Sequence, residues 1–439
     1  MSITTIERSR SSCALHGALA TFGAIEGVVP VVHSTAGCGV QYQHGVTPFG
    51  GATPACASWG APISSSNISE KHVVFGGGSR LREQLKNTVK VVQGDLYVVL
   101  TGCATEMVGD DIPAMTKEGS EQGWPVIYAN TPGFGGSIQR GYEIAVRSLI
   151  EQLPTLPAPS VLPQPKLVNV FGIIPQQDPF WQGHLLYLEE LFEKIGVTLN
   201  PLFGLGRDIS DWQRLPQAAL NLVTSPWGLD AARLLHAKYG TPWVEICGIP
   251  VGAQGVGALL DLLSEKLPLD ADAVKAVRAK QESFFDRSVA RIVPHYYTAG
   301  FQREFAIVGE SGLITSITEF LVETLGLIPK LVIITDPLPE EQRDQWGESF
   351  RGYLASFQAT LAFSEDAGEI EDLLHASQPD LILGSSLERS VAETLHARFL
   401  PISFPIANRL ILNRSYAGYE GGLTLIEDLG SAILGGLNL

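Results

Sequence analysis

The apolar residues of this chain follow two alternating patterns. Short runs of about four to eight residues, rich in β-branched side chains, are typical of parallel strands that are buried on both faces. Longer stretches repeat apolar residues every three or four positions, as amphipathic helices do. The predicted strands cover residues 96–100, 124–130, 166–174, 218–224, 304–309, 330–336 and 380–386. The predicted helices include residues 80–92, 183–196, 228–240 and 316–327. Strands that alternate with helices indicate βαβ units, and therefore an α/β fold of open, doubly wound parallel sheets.

Two interruptions of this pattern divide the chain. The segment 151–166 contains five prolines, which neither a helix nor a central strand accommodates, so it is interpreted as a linker. A second boundary lies near 294–303, after a charged helical run. The predicted domains are three Rossmann-like units at 1–155, 165–295 and 300–400.

Composition excludes several classes of function. The chain has 439 residues and a formal charge of −16, which argues against nucleic acid or an anionic membrane as partner. No apolar run reaches about 18 residues without a charge or a helix breaker, so no membrane span is expected. The five cysteines form no dense pattern and the N-terminus has no apolar signal segment. The sequence therefore predicts a cytoplasmic protein with reduced thiols.

Glycine-rich segments do not identify a nucleotide site. Neither GGGSR at 76–80 nor GAQGVG at 252–257 matches a dinucleotide fingerprint or a phosphate-binding P-loop. VGESG at 308–312 follows a predicted strand and opens a helix, but an ordinary strand-to-helix turn needs the same glycines. We therefore expect no nucleotide to bind this chain.

Three cysteines carry the strongest chemical signal. Cys13, Cys38 and Cys103 lie in the short segments SSCALHGA, VVHSTAGCGV and VLTGCATEMVGDD. Their separations of 25 and 65 residues are too long for a zinc finger or a CxxC redox pair. If the fold brings the three loops together, their thiolates suit a soft iron–sulfur cluster. The alternative is that they are small buried hydrophobic residues, as free cysteines often are.

The segments around these cysteines resemble component 1 of nitrogenase and its relatives. The resemblance is most specific in GALATFGAIEGVVPVVHSTAGCG, EKHVVFGGGSRLREQLKN and LYVVLTGCATEMVGDDIPA. It continues through NTPGFGGS at 130–137, FAIVGESGLITSITEFL at 305–321 and SYAGYEGGLTLIEDL at 415–429. The resemblance implies the three-domain component 1 fold, in which the C-terminal segment 401–439 packs back on the first domain.

In that superfamily, two homologous subunits hold iron–sulfur clusters between them. The resemblance implies that Cys13, Cys38 and Cys103 supply half the ligands of an interfacial [8Fe-7S] P-cluster-type centre, with a [4Fe-4S] cluster as the alternative. Nearby glycines would let backbone amides approach the cluster sulfides. Cys56 and Cys247 are interpreted as ordinary structural residues.

Other polar residues near the cysteines are expected to play supporting roles. His33 precedes the second cysteine turn and is expected to form a hydrogen bond near it. His16 and His44 are interpreted as packing or surface residues. Asp110 and Asp111 resemble a catalytic carboxylate pair, but their place after a cysteine loop favours capping the next helix and orienting that loop.

The resemblance also indicates which half of the complex this chain is. The half that holds the catalytic cofactor uses one cysteine and one histidine, and the aligned positions here are Ala232 and Asn408. The chain therefore resembles the β-type subunit, which relays electrons to a cofactor in an α-type partner within an α2β2 heterotetramer. A homodimeric, ATP-hydrolysing iron protein would supply the electrons and dock near Phe75.

Departures from nitrogenase narrow the choice of family member. The chain has HSTAGC where nitrogenase has HGxxGC, and TPGF with Gly133 where nitrogenase has a serine that can join the oxidised cluster. The first ligand also falls earlier, at residue 13. These features favour the β-type subunit of a nitrogenase-like methylthio-alkane reductase. The alternatives are a molybdenum, vanadium or iron-only nitrogenase β subunit, a cofactor-assembly scaffold, and a tetrapyrrole reductase of the dark-operative protochlorophyllide type.

Overall fold

A computed structural model of the chain describes residues 6–51, 63–153, 164–246, 248–298 and 300–435. Cys56, Cys247 and most of the predicted proline-rich linker lie outside the described residues. The described strands form three parallel sheets of four, four and five strands, which confirms the predicted α/β class. The division into domains at the predicted boundaries stays a prediction.

The first sheet carries the segments around the three cysteines. Its strand order is β2-β1-β3-β4, and every pairing is parallel. The strands are β1 (Val28–His33), β2 (Ser64–Ser65), β3 (Leu96–Thr101) and β4 (Val126–Ala129). Its helices are α1 (Ala14–Gly23), α2 (Ala36–Gln41), α3 (Glu70–Phe75), α4 (Gly78–Val91), α5 (Cys103–Val108), α6 (Ile112–Glu121) and α7 (Ile138–Gln152). All six residues of β3 are buried, as expected of a central parallel strand.

The second sheet has the order β6-β5-β7-β8. Its strands are β5 (Gln164–Phe171), β6 (Thr198–Asn200), β7 (Ala218–Val223) and β8 (Trp243–Glu245). The helices of this part are α8 (Trp181–Lys194), α9 (Ile209–Gln213), α10 (Leu229–Tyr239), α11 (Gly252–Lys266), α12 (Ala271–Ala290) and α13 (Val293–Thr298).

The third sheet has the order β11-β10-β9-β12-β13. Its strands are β9 (Glu304–Gly309), β10 (Ile328–Ile334), β11 (Thr360–Phe363), β12 (Leu381–Gly384) and β13 (Arg398–Pro401). The helices that follow are α14 (Ser311–Glu323), α15 (Glu340–Ala355), α16 (Ala367–Ser377), α17 (Arg389–Thr394) and α18 (Gly418–Leu434). All seven strands and all four helices predicted from the apolar pattern overlap observed elements, within a few residues at their ends.

One buried apolar cluster joins the three sheets. Val98, Leu222 and Ile307, one from a central strand of each sheet, all belong to it. Within this core α1 crosses α7 so closely that a Cβ built on Gly141 would overlap the carbonyl oxygen of Ala14. The glycine therefore sets how near the helix that begins after Cys13 can approach.

The C-terminal segment touches more than one part of the fold. The amide of Ile406 donates a hydrogen bond to the carbonyl of Phe49 (2.6 Å), next to the first sheet. The last helix, α18, instead packs against α11 and α12 beside the second sheet. No helix within the described ranges is both long and apolar enough to cross a membrane.

Candidate iron–sulfur site

Three neighbouring strands of the first sheet end at the same edge. β1 leads into the turn that carries Cys38, β3 leads into Cys103, and β4 leads into the turn at Gly133. Because the strands are parallel and adjacent, their carboxyl ends meet, which is where α/β sheets place their sites. Thr131 fixes two of these turns to each other, since its amide and hydroxyl both bond to Thr101 at 2.8 Å.

Cys13 reaches this edge from a different direction. It precedes α1 and pairs with Ser137, in the turn before α7, as an isolated antiparallel bridge. The amide of Ala14 donates to the carbonyl of Gly136 at 2.9 Å. The contact between α1 and α7 therefore positions the first cysteine against the turn that follows β4.

Gly133 lies between two of the sulfur atoms. A Cβ built on this residue would lie 3.0 Å from Cys103 Sγ and 3.4 Å from Cys13 Sγ. Its amide donates a hydrogen bond to Cys103 Sγ at 3.1 Å. The missing side chain leaves the space in which the two thiols approach each other, and the amide supplies a donor to one of them.

Cys38 is bound into the site through its neighbours. Its Sγ lies 3.3 Å from the Ser34 hydroxyl, and its carbonyl accepts a hydrogen bond from His16 Nε2 at 3.1 Å. The other ring nitrogen of His16 contacts the Ser12 hydroxyl. Burial lowers the pKa of His16, so the ring is neutral near pH 7 and bridges the Cys13 segment to the Cys38 turn.

None of the three cysteines at this edge is fully buried. Cys13 and Cys38 are partly exposed and Cys103 is exposed. Across the described part of the chain, no three His, Cys, Asp or Glu side chains converge on a point that would hold a single metal ion. The set of soft sulfur ligands with nearby amide and hydroxyl donors nevertheless fits a multi-iron cluster, because such a cluster spreads its ligands over several irons.

His33 joins the cysteine turns to the segment after α3. Its Nε2 lies 3.0 Å from Asp110 Oδ2 and its Nδ1 lies 2.9 Å from the Ser66 hydroxyl. Asp110 in turn accepts the amide of Gly77 at 2.8 Å. Desolvation lowers the pKa of His33 although Asp110 opposes the shift. Ser66 and His33 are both buried, and this Ser–His–Asp array ties together the loops that carry its members.

The prediction for the neighbouring carboxylate is confirmed, because Asp111 caps α6 by accepting the amide of Ala114 at 3.1 Å.

Phe75 ends α3 and is 87% exposed, the highest value among the large apolar side chains of the described ranges. Gly76 directly after it has φ of 89°, which turns the chain back toward the Gly77–Asp110 contact.

The two positions aligned with the ligands of a catalytic cofactor offer no such ligand here. Ala232 is fully buried in α10 against Val223 and Leu229. Asn408 lies in an exposed segment beside Ser386.

Two polar features near the site were not predicted. Ser34 contacts Cys38, which lies four residues later in the chain. Residues four apart are neighbours at the surface of a helix, so this spacing at the start of α2 was the sequence signal from which the contact could have been predicted. Arg10, three residues before Cys13, forms a buried ion pair with Glu388, which follows strand β12 of the third sheet. No local pattern could have predicted that contact, since 378 residues separate its partners.

Comparisons with known proteins identify the family and the fold. The family described as nitrogenase component 1 type oxidoreductase matches residues 13–434. The nitrogenase molybdenum-iron protein beta chain of Frankia alni is 25% identical over 460 residues, covering 98% of this chain and 83% of that protein. The corresponding protein of Methanococcus maripaludis is 24% identical, covering 96% and 93%. A solved structure, nitrogenase Cp1 at pH 6.5, superposes with a TM-score of 0.80 at 20% identity, covering 99% of this chain and 94% of that chain.

Proposed function

We propose that this chain, which belongs to the nitrogenase component 1 type oxidoreductase family, is the β-type, electron-relaying subunit of a reductase complex. The observation that carries the proposal is that Cys13 and Cys103 meet at Gly133, while Cys38 follows the adjacent parallel strand β1 at the same sheet edge. Thiolates from these residues would hold half of an [8Fe-7S] P-cluster-type centre, which when bound supplies low-potential electron transfer. A [4Fe-4S] cluster is the alternative, and iron content per complex distinguishes the two.

A homologous α-type subunit would complete the site. Large apolar side chains lie exposed beside the cysteine turns, namely Val40 after Cys38, Met107 after Cys103, and Phe134 after Gly133. Exposed apolar residues grouped at one edge are typical of a surface that another protein covers. We infer an α2β2 heterotetramer in which this edge meets the partner, and we expect the chain expressed alone to be unstable.

The catalytic cofactor belongs in that partner. Ala232 and Asn408 replace the cysteine and histidine that would anchor it, so this chain relays electrons and does not reduce substrate itself. The departures at Ser34 and Gly133 favour a methylthio-alkane reductase. In that reaction two electrons and two protons cleave a C–S bond, so that the methylthio group leaves as methanethiol and the alkyl carbon gains hydrogen. A nitrogenase β subunit is the second candidate. This alternative is supported by the similarity of the chain to nitrogenase molybdenum-iron protein beta chains.

Electrons would come from a separate homodimeric iron protein that hydrolyses ATP. Phe75 supports this docking position, because an aromatic side chain at the centre of a contact contributes disproportionately to binding. Its loop is tied through Gly77 and Asp110 to His33, whose carbonyl accepts the amide of Gly102 at 3.1 Å, next to Cys103.

The cluster assignment is tested by Cys103→Ala in the co-purified complex. Loss of a ligand should remove or alter the iron signal and uncouple electron delivery. The matched control is Cys56→Ala, which should be nearly silent. Normal iron content and normal turnover in the Cys103 variant would rule the assignment out.

The docking assignment is tested by Phe75→Ala at limiting iron protein. Turnover should fall while the cluster spectrum and its reduction by dithionite stay unchanged. Val91→Ala removes a similarly exposed apolar side chain from the far end of α4 and should have no effect. Wild-type turnover of the Phe75 variant would contradict the docking site and leave the cluster assignment intact.

A further inference from the structure

The hydroxyl of Ser34 is held beside one of the proposed ligands. Ser34 follows β1 directly, is 1% exposed, and its Oγ lies 3.3 Å from Cys38 Sγ. The Thr35 hydroxyl lies farther from the same sulfur, at 3.9 Å. Ser34 is therefore the closest side-chain donor to this thiol among the described residues.

The space for this hydroxyl is made by the neighbouring loop. A Cβ built on Gly102 would overlap Ser34 Oγ and lie 2.5 Å from Ser34 Cβ. The Ser34 carbonyl accepts the amide of Ile68 at 2.9 Å and the hydroxyl of Ser66 at 3.4 Å, which fixes the backbone at this residue. The serine is thus wedged between the Cys38 turn and the residue that precedes Cys103, and its hydroxyl has little freedom to turn away.

We propose that Ser34 sets the reduction potential of the cluster by donating a hydrogen bond to the Cys38 thiolate. The inference rests on the proposed function, since it takes Cys38 as a ligand. A thiolate bound to iron has no proton, so the hydroxyl must be the donor. A hydrogen bond to a ligand sulfur withdraws negative charge from it, which favours the reduced, more negative cluster and raises the potential.

Ser34 differs from the other donor in the site. Cys103 accepts its hydrogen bond from the backbone amide of Gly133, which no side-chain substitution removes. The bond to Cys38 comes from a side chain and can be lost by a single substitution. Ser34 is therefore a positioning and tuning residue, whose removal should move the potential and leave the set of ligands unchanged.

The experiment is an EPR-monitored redox titration of the co-purified complex carrying Ser34→Ala. Iron content is measured first, and the midpoint potential should then shift to a more negative value than that of wild type. Ser148→Ala is the matched control, because Ser148 is also a buried serine but its hydroxyl donates to the carbonyl of Ala145 at 2.8 Å within α7 and not to sulfur. Its potential should stay at the wild-type value.

A second pair of variants separates the hydroxyl from the packing. Ser34→Thr and Ser34→Val have the same shape and differ only in the hydroxyl group. The threonine variant should keep a higher potential than the valine variant, and this comparison decides the matter if Ser34→Ala fails to load iron. Equal potentials in the two variants, or an unchanged potential in an iron-replete Ser34→Ala complex, would overturn the inference and leave the proposed function standing. A wild-type complex without iron would overturn the proposed function itself.

Discussion

The segment that precedes Cys13 is held on the third sheet's side of the fold by a buried ion pair, and we expect its loss to free that segment. Arg10 contacts Glu388, and both side chains are only 3% exposed. Arg10 Nη2 also donates to the Ser385 hydroxyl at 3.1 Å. Arg10→Ala would leave the Glu388 carboxylate buried without its cation.

The cost of that change can be worked from the contacts. Removing one partner of a buried ion pair costs about 3–5 kcal/mol. Glu388 keeps two hydrogen bonds from Ser385, from its amide at 2.7 Å and its hydroxyl at 2.8 Å, so we expect the lower end of that range. Since about 1.4 kcal/mol is a factor of ten, opening of the segment should become roughly 100-fold more frequent.

A second ion pair on the same segment provides the control. Arg8 pairs with Glu371, but these side chains are 56% and 37% exposed. Exposed pairs contribute about 0.2–1 kcal/mol, so Arg8→Ala should change opening by no more than roughly fivefold. The two ion pairs hold the same N-terminal segment and differ in how far they are buried.

Hydrogen exchange measured by mass spectrometry on the peptide that spans residues 6–13 is the assay. The amides of Glu7 and Arg8 donate to the carboxylate of Asp366, so they are protected while the segment is docked. Exchange in this peptide should accelerate strongly in Arg10→Ala and weakly in Arg8→Ala. Arg10→Met combined with Glu388→Gln should recover much of the protection, because neither buried side chain is then charged. Equal exchange in the two single variants would refute the reasoning.

Two further predictions concern packing and pH. Gly141→Ala should lower the melting temperature, because its Cβ would overlap the carbonyl of Ala14. The control is Gly352→Ala, whose Cβ would have open space within a helix, so this change should be neutral or stabilise the fold by about 0.5–1 kcal/mol. Desolvation, with a smaller contribution from the charge of Asp336, raises the pKa of Glu310 well above its ordinary value. The folded state therefore holds a proton that the unfolded state loses above about pH 4.5, and stability falls as pH rises from there to the folded-state pKa. Glu310→Gln should flatten that decline in thermal unfolding measured from pH 5 to pH 8, and an unchanged slope would contradict the assignment.

In the second and third sheets the apolar pattern predicted the central strands and missed the edges, whereas in the first sheet it predicted the central β3 and the edge strand β4. The strands β5, β7, β9, β10 and β12 were all predicted, and each lies inside its sheet. The strands missed in the second and third sheets are β6, β8, β11 and β13, and every one of them is an edge strand. In the first sheet the edge strand β2 and the central strand β1 both fall outside the predicted ranges. β6 has only three residues and β2 only two. An edge strand has one hydrogen-bonded neighbour and needs no continuous apolar run, so the pattern that reveals a central strand was missing from these short edge strands.

The candidate site divides in a similar way. The cysteine segments could be singled out from the sequence, because the residues around them resemble a known family. The hydrogen bonds of the site could not, since they depend on contacts between distant segments. His16 was expected to be a packing or surface residue; it is buried, and it also bridges Ser12 to the carbonyl of Cys38. Residue type alone does not tell these two cases apart.

The two departures from the nitrogenase motifs each lie beside proposed cysteine ligands. At position 133 a side chain would project toward the sulfurs of Cys103 and Cys13, and the chain has glycine there. At position 34, where the family motif has glycine, the chain has a hydroxyl 3.3 Å from Cys38 Sγ. A hydroxyl at position 133 is therefore absent, and a hydroxyl within hydrogen-bond distance of the Cys38 sulfur is present. In the proposed cluster, this exchange favours a ligand set that stays fixed through the redox cycle, with its potential set by a hydrogen bond.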